Sequence, residues 1–144
     1  MILLRITHVL ASAATLALLG CASMGGSGAT TPHVVSTTTT TELNHTLRKR
    51  TPVATFSLED GVVCVVDFAW DDVTRPAGVH SVQWRWYKEG TLVSQSQKEM
   101  NFKTSPFSTW TSRAATSLGP GQFRVDTLLD ERVASSCEFQ IRSP

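Results

Sequence analysis

The fold is decided by one stretch of the chain, Val62-Val63-Cys64-Val65-Val66-Asp67-Phe68-Ala69-Trp70. Successive side chains of a β-strand point to opposite faces. One face therefore collects the large apolar residues Val62, Cys64, Val66, Phe68 and Trp70, and the other collects Val63, Val65, Asp67 and Ala69. Alternation of this kind predicts a strand with one face in a hydrophobic core.

Turn residues divide residues 51–144 into short runs rich in Val, Phe, Trp and Thr, which is strand chemistry. The predicted strands are Val53–Leu58, Val62–Trp70, Val79–Lys88, Leu92–Phe102, Ser108–Ala115, Gln122–Leu129 and Val133–Ile141. The breaks include Glu89-Gly90 and Asp130-Glu131. Seven short antiparallel strands without a helical period predict an all-β, immunoglobulin-like antiparallel sandwich.

Two motifs strengthen this prediction. The run Val82-Gln83-Trp84-Arg85-Trp86-Tyr87-Lys88-Glu89-Gly90 and the later Gly119-Pro120-Gly121-Gln122-Phe123-Arg124-Val125-Asp126 resemble bacterial immunoglobulin-like accessory domains of unknown function. The resemblance covers residues 79–141 and implies a sandwich without naming an activity. The sixth predicted strand has Val125 where antibody-type domains carry a cysteine, which is a departure from their pattern.

The N-terminal sequence predicts where in the cell the protein is located. Arg5 and His8 precede an apolar run, Val9–Leu19, and Leu18-Leu19-Gly20-Cys21 resembles the lipobox of bacterial lipoproteins. The run is about half of the roughly 20 residues that a spanning helix needs. The resemblance implies that residues 1–20 are a signal peptide and that Cys21 carries the lipid. Ala22 replaces the Asp of inner-membrane lipoproteins, so we expect attachment to the periplasmic face of the outer membrane.

A flexible tether is predicted for residues 21–50, ahead of a sandwich at 51–144. Gly25, Gly26 and Gly28 and the tract Ser36–Thr41 offer little apolar surface to bury. Fully extended, such a tether would reach about 100 Å.

The cysteines and the charge balance limit the function further. With Cys21 assigned to lipid, Cys64 and Cys137 remain, and both lie on core-facing rows of their strands. In an oxidising compartment such a pair predicts a disulfide, with two separate buried thiols as the alternative. Without Arg5, basic and acidic residues are equal in number, so the chain offers no field for nucleic acid.

The sequence contains no recognisable catalytic or metal-binding constellation. His33, His45 and His80 lack metal-ligand spacing. Adjacent His80 and Ser81 point to opposite faces of a strand, so they do not form a catalytic pair. We therefore expect a protein that is not an enzyme and that has no cofactor and no metal.

Candidate binding residues lie on two predicted strands. In an immunoglobulin-like sheet the third and sixth strands are neighbours, so one outward patch is expected from Gln83, Arg85, Tyr87, Arg124, Asp126 and Leu128. Leu128 is the anomaly, because it is an apolar residue on a polar face. Tyr and Arg around an exposed apolar residue is typical of binding hot spots, although ordinary surface is the alternative.

These observations predict a lipid-anchored, non-catalytic module that binds or assembles an envelope protein. One alternative is a glycan or peptidoglycan binder that uses Trp110 and Tyr87 as exposed aromatic platforms. The other is a pilotin-like chaperone that escorts a secretion-system or envelope subunit. Binding of peptidoglycan would favour the first alternative, and co-purification of a single envelope protein would favour the second.

The lipid anchor predicts a processing defect in Cys21→Ser. Without the sulfur that accepts the diacylglyceryl group, the precursor should stay unprocessed or mislocalised, which immunoblotting of fractionated cells detects. Globomycin, which blocks the lipoprotein signal peptidase, should cause the same larger form of the unsubstituted chain to accumulate. A mature product of normal size and location from Cys21→Ser would contradict the prediction.

Overall fold

The computed structural model describes residues 30–41 and 50–144. The elements of these ranges are β1 (His33–Thr40), β2 (Thr55–Phe56), β3 (Gly61–Ala69), β4 (Gly78–Lys88), β5 (Thr91–Phe102), β6 (Phe107–Ala114), α1 (Ala115–Leu118), β7 (Gly121–Leu129) and β8 (Arg132–Ile141). The predicted signal peptide and Cys21 lie outside the described residues.

The strands form two sheets. The smaller has the order β1-β3-β6 and the larger has the order β2-β8-β7-β4-β5. All pairings are antiparallel except that of the two-residue β2 with the end of β8. The prediction of an all-β, immunoglobulin-like sandwich is confirmed.

The core lies between the two sheets. The inner row of β3, which contains Val62, Cys64, Val66 and Phe68, is fully buried, and Trp84 and Trp86 of β4 face it from the larger sheet with at most 1% exposure. Phe102 centres one aromatic group, with Phe107 at 4.2 Å and Phe68 at 5.3 Å between ring centroids. Phe139 centres a second group that includes Phe56, Phe123 and Trp86. The aromatic residues thus fill the space at both ends of the sandwich.

Two tight turns fix the order of the larger sheet. Glu89 and Gly90 both have positive φ (46° and 80°), as do Asp130 and Glu131 (47° and 68°). Two successive positive φ angles give the turn whose twist matches a β-hairpin. These turns join β4 to β5 and β7 to β8 at the predicted breaks.

The predicted tether is wrong at residues 33–40, because they form β1. This strand pairs with β3, with Thr37 opposite Val66 and Thr40 opposite Val63. Its Thr-rich sequence has little apolar surface, but β-branched residues favour a strand, and an edge strand is held mainly by backbone hydrogen bonds to its neighbour. The sandwich therefore begins near His33. The predicted first strand, Val53–Leu58, is a strand only at Thr55–Phe56.

A carboxylate ties the outer face of the smaller sheet together. Asp67 on β3 accepts hydrogen bonds from Ser36 of β1 (2.6 Å) and Ser108 of β6 (2.5 Å), and from the Arg50 guanidinium (2.7 Å). Burial alone would raise the pKa of Asp67, but the bonds from Ser108, Ser36 and Arg50, with the attraction of Arg50, lower it below its usual 3.8. The ionised carboxylate therefore stabilises the fold.

We predict that Asp67→Asn lowers the free energy of unfolding at pH 7 by about 1 kcal/mol, because the charge-assisted bonds are lost from a partly exposed site. The folded pKa is lowered, so the contribution of Asp67 is complete above its usual 3.8 and is lost as the pH falls below that value. Denaturant melts of both proteins between pH 7 and pH 2 should therefore converge at low pH. Asp71→Asn, at an exposed side chain, is the control, and a gap that persists at acid pH would contradict the prediction.

Candidate binding site

The predicted adjacency of the third and sixth strands is confirmed, because they are β4 and β7 and they pair directly. Tyr87 lies opposite Arg124, and Arg85 lies opposite Asp126. Paired residues share a face, so the outer face of the larger sheet has a continuous group at its centre. We call this group the Tyr87 patch, defined as Gln83, Arg85, Tyr87, Arg124 and Asp126.

Arg124 is held in place by two contacts. Its guanidinium carbon lies 4.6 Å from the centre of the Tyr87 ring, which is a cation–π arrangement. Its Nε lies 3.0 Å from Oδ1 of Asp126. The same Oδ1 accepts a hydrogen bond from the Ser136 hydroxyl at 2.7 Å. Asp126 is therefore buried, although it points outward, because its neighbours cover it.

Arg85 differs from Arg124, because its guanidinium has no polar partner among the described residues. It lies across from Asp126 on the neighbouring strand, but that carboxylate contacts Arg124 and Ser136. Within residues 30–41 and 50–144, the Arg85 side chain makes no hydrogen bond or ion pair. The centre of the patch thus carries a half-buried cation with unused donors.

A shallow depression of about 390 Å³ adjoins the patch at the end of β4. It is lined by Tyr87, Glu89, Gly90, Gln122, Phe123, Arg124 and Glu138. Glu138 lies opposite Arg124, and Ser136 lies opposite Asp126, both on β8. Sequence reasoning missed these two residues, although the alternation of the last strand already placed them on its outer row. They were missed because the sequence analysis did not predict that the last strand pairs with β7.

The prediction that Leu128 is exposed is wrong, because its exposure is 2%. It lies opposite Gln83, on the outer face as expected. The pairing of β7 with β8 shifts register between Thr127 and Leu128 and sets Val133 opposite Leu128. A register shift of this kind re-aims side chains locally, and the apolar residue in solvent is Val133, which is 60% exposed.

Trp110 and Tyr87 do not form one platform. Trp110 lies opposite Val65 in the smaller sheet and is 40% exposed on its outer face. Tyr87 lies on the outer face of the larger sheet, and the two outer faces of a sandwich point in opposite directions. The expectation of an aromatic surface built from both residues is therefore wrong. Trp110 instead borders a groove of about 370 Å³ between β5 and β6, which also contacts Met100 and Phe107.

Cys64 and Cys137 face each other across the core. Their Sγ atoms lie 2.8 Å apart and join β3 of one sheet to β8 of the other. A hydrogen bond with Cys137, then burial and charge repulsion from Cys137, raise the pKa of Cys64 far above the usual range of a thiol. Cys137 lies opposite Val125 of β7. The second sulfur therefore comes from β8, whereas antibody-type domains carry this cysteine on the strand that corresponds to β7.

His80 is part of a turn-stabilising cluster. Its Nδ1 lies 2.7 Å from Oδ2 of Asp130, and its Nε2 lies 3.2 Å from the Ala77 carbonyl. Burial alone would raise the pKa of Asp130, but bonds from His80 and the Ser81 amide and attraction to His80 lower it. The Ser81 hydroxyl accepts a bond from Gln97. The cluster therefore holds the β7–β8 turn against β4.

Within residues 30–41 and 50–144, no three His, Cys, Asp or Glu side chains come close enough together to hold a metal ion. The same ranges have no helix that is long and apolar enough to cross a membrane.

Comparison with known proteins shows the fold. No protein-family model matches the chain, and no curated protein sequence matches it. Among solved structures, it is similar to the Pseudomonas fluorescens alkylpurine DNA glycosylase AlkC bound to DNA containing an abasic site analog, with a TM-score of 0.54 and 11% identity. The match covers 78% of this chain and 30% of the glycosylase chain. An immunoglobulin-like protein from Pseudomonas aeruginosa has a TM-score of 0.45 at 9% identity, over 77% of this chain and 96% of that one.

The burial of Leu128 predicts a stability effect. Leu128→Ala should lower the free energy of unfolding by about 2–4 kcal/mol, because it removes buried methyl groups and leaves a cavity. Val133→Ala, at the residue directly opposite, should change it by less than about 0.5 kcal/mol. Denaturant unfolding of the two variants provides the measurement. Equal effects would contradict the assignment of the buried and exposed positions.

Proposed function

We propose that this chain is a lipid-anchored protein of the outer membrane whose non-catalytic sandwich binds an envelope protein through the Tyr87 patch. The observation that carries the proposal is the pairing of an ordered Arg124–Tyr87 stack with an Arg85 that has no polar partner in the described residues. Tyr and Arg are the residue types enriched at the centres of protein interfaces.

The patch is organised before a partner arrives. Arg124 is fixed by the Tyr87 ring and by Asp126, and a long side chain that is already ordered loses less conformational entropy on binding. Tyr87 adds an aromatic surface with few rotatable bonds. Binding at this face therefore avoids part of the cost of ordering an interface.

Arg85 defines the chemistry of the partner. A guanidinium offers a planar set of N–H donors that matches a carboxylate in two parallel hydrogen bonds. Arg85 and Arg124 lie on neighbouring strands, with Asp126 directly opposite Arg85 and Glu138 directly opposite Arg124. The partner is therefore a protein that presents an Asp or Glu side chain, flanked by surface that packs on Tyr87.

The anchor and the position of β1 limit where binding takes place. If Cys21 carries the lipid, the chain between it and His33 extends at most about 40 Å. The sandwich would therefore work close to the membrane surface and not at the 100 Å reach of the longer predicted tether. The same periplasmic location favours a disulfide between Cys64 and Cys137, and the 2.8 Å separation of their sulfurs supports it.

The test is site-specific photocrosslinking of the full-length chain in cells, with a photoreactive phenylalanine at Gln83. We expect a discrete adduct with an envelope protein, reduced at least tenfold by Arg85→Glu, because a carboxylate would then face a carboxylate. Lys103→Glu changes the charge equally at an exposed loop position and should leave the adduct unchanged. An adduct of equal strength in Arg85→Glu, or one lost equally in Lys103→Glu, would contradict the proposal.

A further inference from the structure

The two cysteines have unequal access to solvent. Cys64 is 0% exposed in the central strand of the smaller sheet, whereas Cys137 is only partly buried on β8. In the described part of the chain, β8 pairs with β7 along its length, and β2 joins its other side only at Gln140 and Ile141. β1 lies alongside β8 without pairing with it, and Cys137 keeps a partial exposure that Cys64 lacks.

We infer that Cys137 is a thiol–disulfide exchange site, through which an external disulfide oxidises the Cys64–Cys137 pair. This inference deepens the proposed disulfide and rests on it. The substrate class is a disulfide small or flexible enough to reach the partly exposed Cys137, either a low-molecular-weight disulfide or the disulfide of an oxidase.

The reaction balances in two displacements. The Cys137 thiolate attacks one sulfur of the oxidant, the oxidant's S–S bond breaks, and a mixed disulfide forms while a thiolate leaves and takes a proton from water. The Cys64 sulfur then attacks the Cys137 sulfur, the mixed disulfide breaks, and the leaving thiolate takes the proton of the Cys64 thiol. Two protein thiols are oxidised and one external disulfide is reduced to two thiols.

Geometry assigns the order of these steps. The sulfurs are already 2.8 Å apart, so closing to a bond of about 2.05 Å requires a movement of about 0.8 Å. Cys64 is therefore placed to attack a mixed disulfide on Cys137. The reverse order would require the oxidant to enter the core, because Cys64 belongs to the fully buried inner row of β3.

The experiment uses the full-length chain with Cys21→Ser, reduced and purified in detergent, so that the lipidated position does not compete. Native protein is exposed to oxidised glutathione, unreacted thiols are alkylated, and peptides are mapped by mass spectrometry. The parent should form the Cys64–Cys137 disulfide. In Cys64→Ala, glutathione should remain attached to Cys137. In Cys137→Ala, glutathione should modify Cys64 at least tenfold more slowly than it modifies Cys137 in Cys64→Ala.

A denatured sample of each variant is the control, because unfolding should make both thiols react at similar rates. Circular dichroism verifies that both variants are folded. The melting temperature of the parent should rise on oxidation by on the order of 10 °C, because the bond closes a long loop. The inference is overturned if both parent thiols remain alkylatable, or if native Cys64 reacts as fast as Cys137. The assay needs neither partner nor membrane, so its failure is distinct from failure of the proposed binding function.

Discussion

The structure depends on the burial of one row of side chains on β3. This strand has a neighbour on each side, β1 and β6, and its inner row is fully excluded from solvent. A second sheet must therefore cover that row, and the large side chains of β4, β7 and β8 do so. The apolar area removed from water in this layer supplies the main driving force for a domain of this size. The turns and the order of strands position the covering residues.

One carboxylate organises the outer face of each sheet, and the two carboxylates differ in the groups that bond to them. Asp67 accepts bonds from Ser36, Ser108 and Arg50 and joins every strand of the smaller sheet. Asp126 accepts bonds from Arg124 and Ser136, and Arg85 on the neighbouring strand has no share in them. The smaller sheet therefore has an internal electrostatic tie, whereas on the larger sheet the Arg85 guanidinium has no polar partner among the described residues.

The position of the sulfurs follows from the same arrangement. Val125 occupies the core-facing position of β7 that lies opposite Trp86 of β4, and Cys137 of β8 lies opposite Val125 on its other side. Moving the cysteine by one strand keeps its sulfur within reach of Cys64 on the opposite sheet. It also places that sulfur on a partly exposed residue.

The sequence by itself determined the elements whose side chains carry their own pattern. Alternation in Val62–Trp70 and Val79–Lys88 predicted strands and their inner faces, and the residue types at Glu89-Gly90 and Asp130-Glu131 predicted the turns. The grouping of Arg85, Tyr87 and Arg124 also followed, because the neighbours of a strand are regular in this class of sandwich. Only the tertiary structure decided β1, whose Thr-rich residues pair through the backbone and show no apolar period. It alone decided that Leu128 is covered and Val133 exposed, because a register shift depends on both strands and is not encoded in either one.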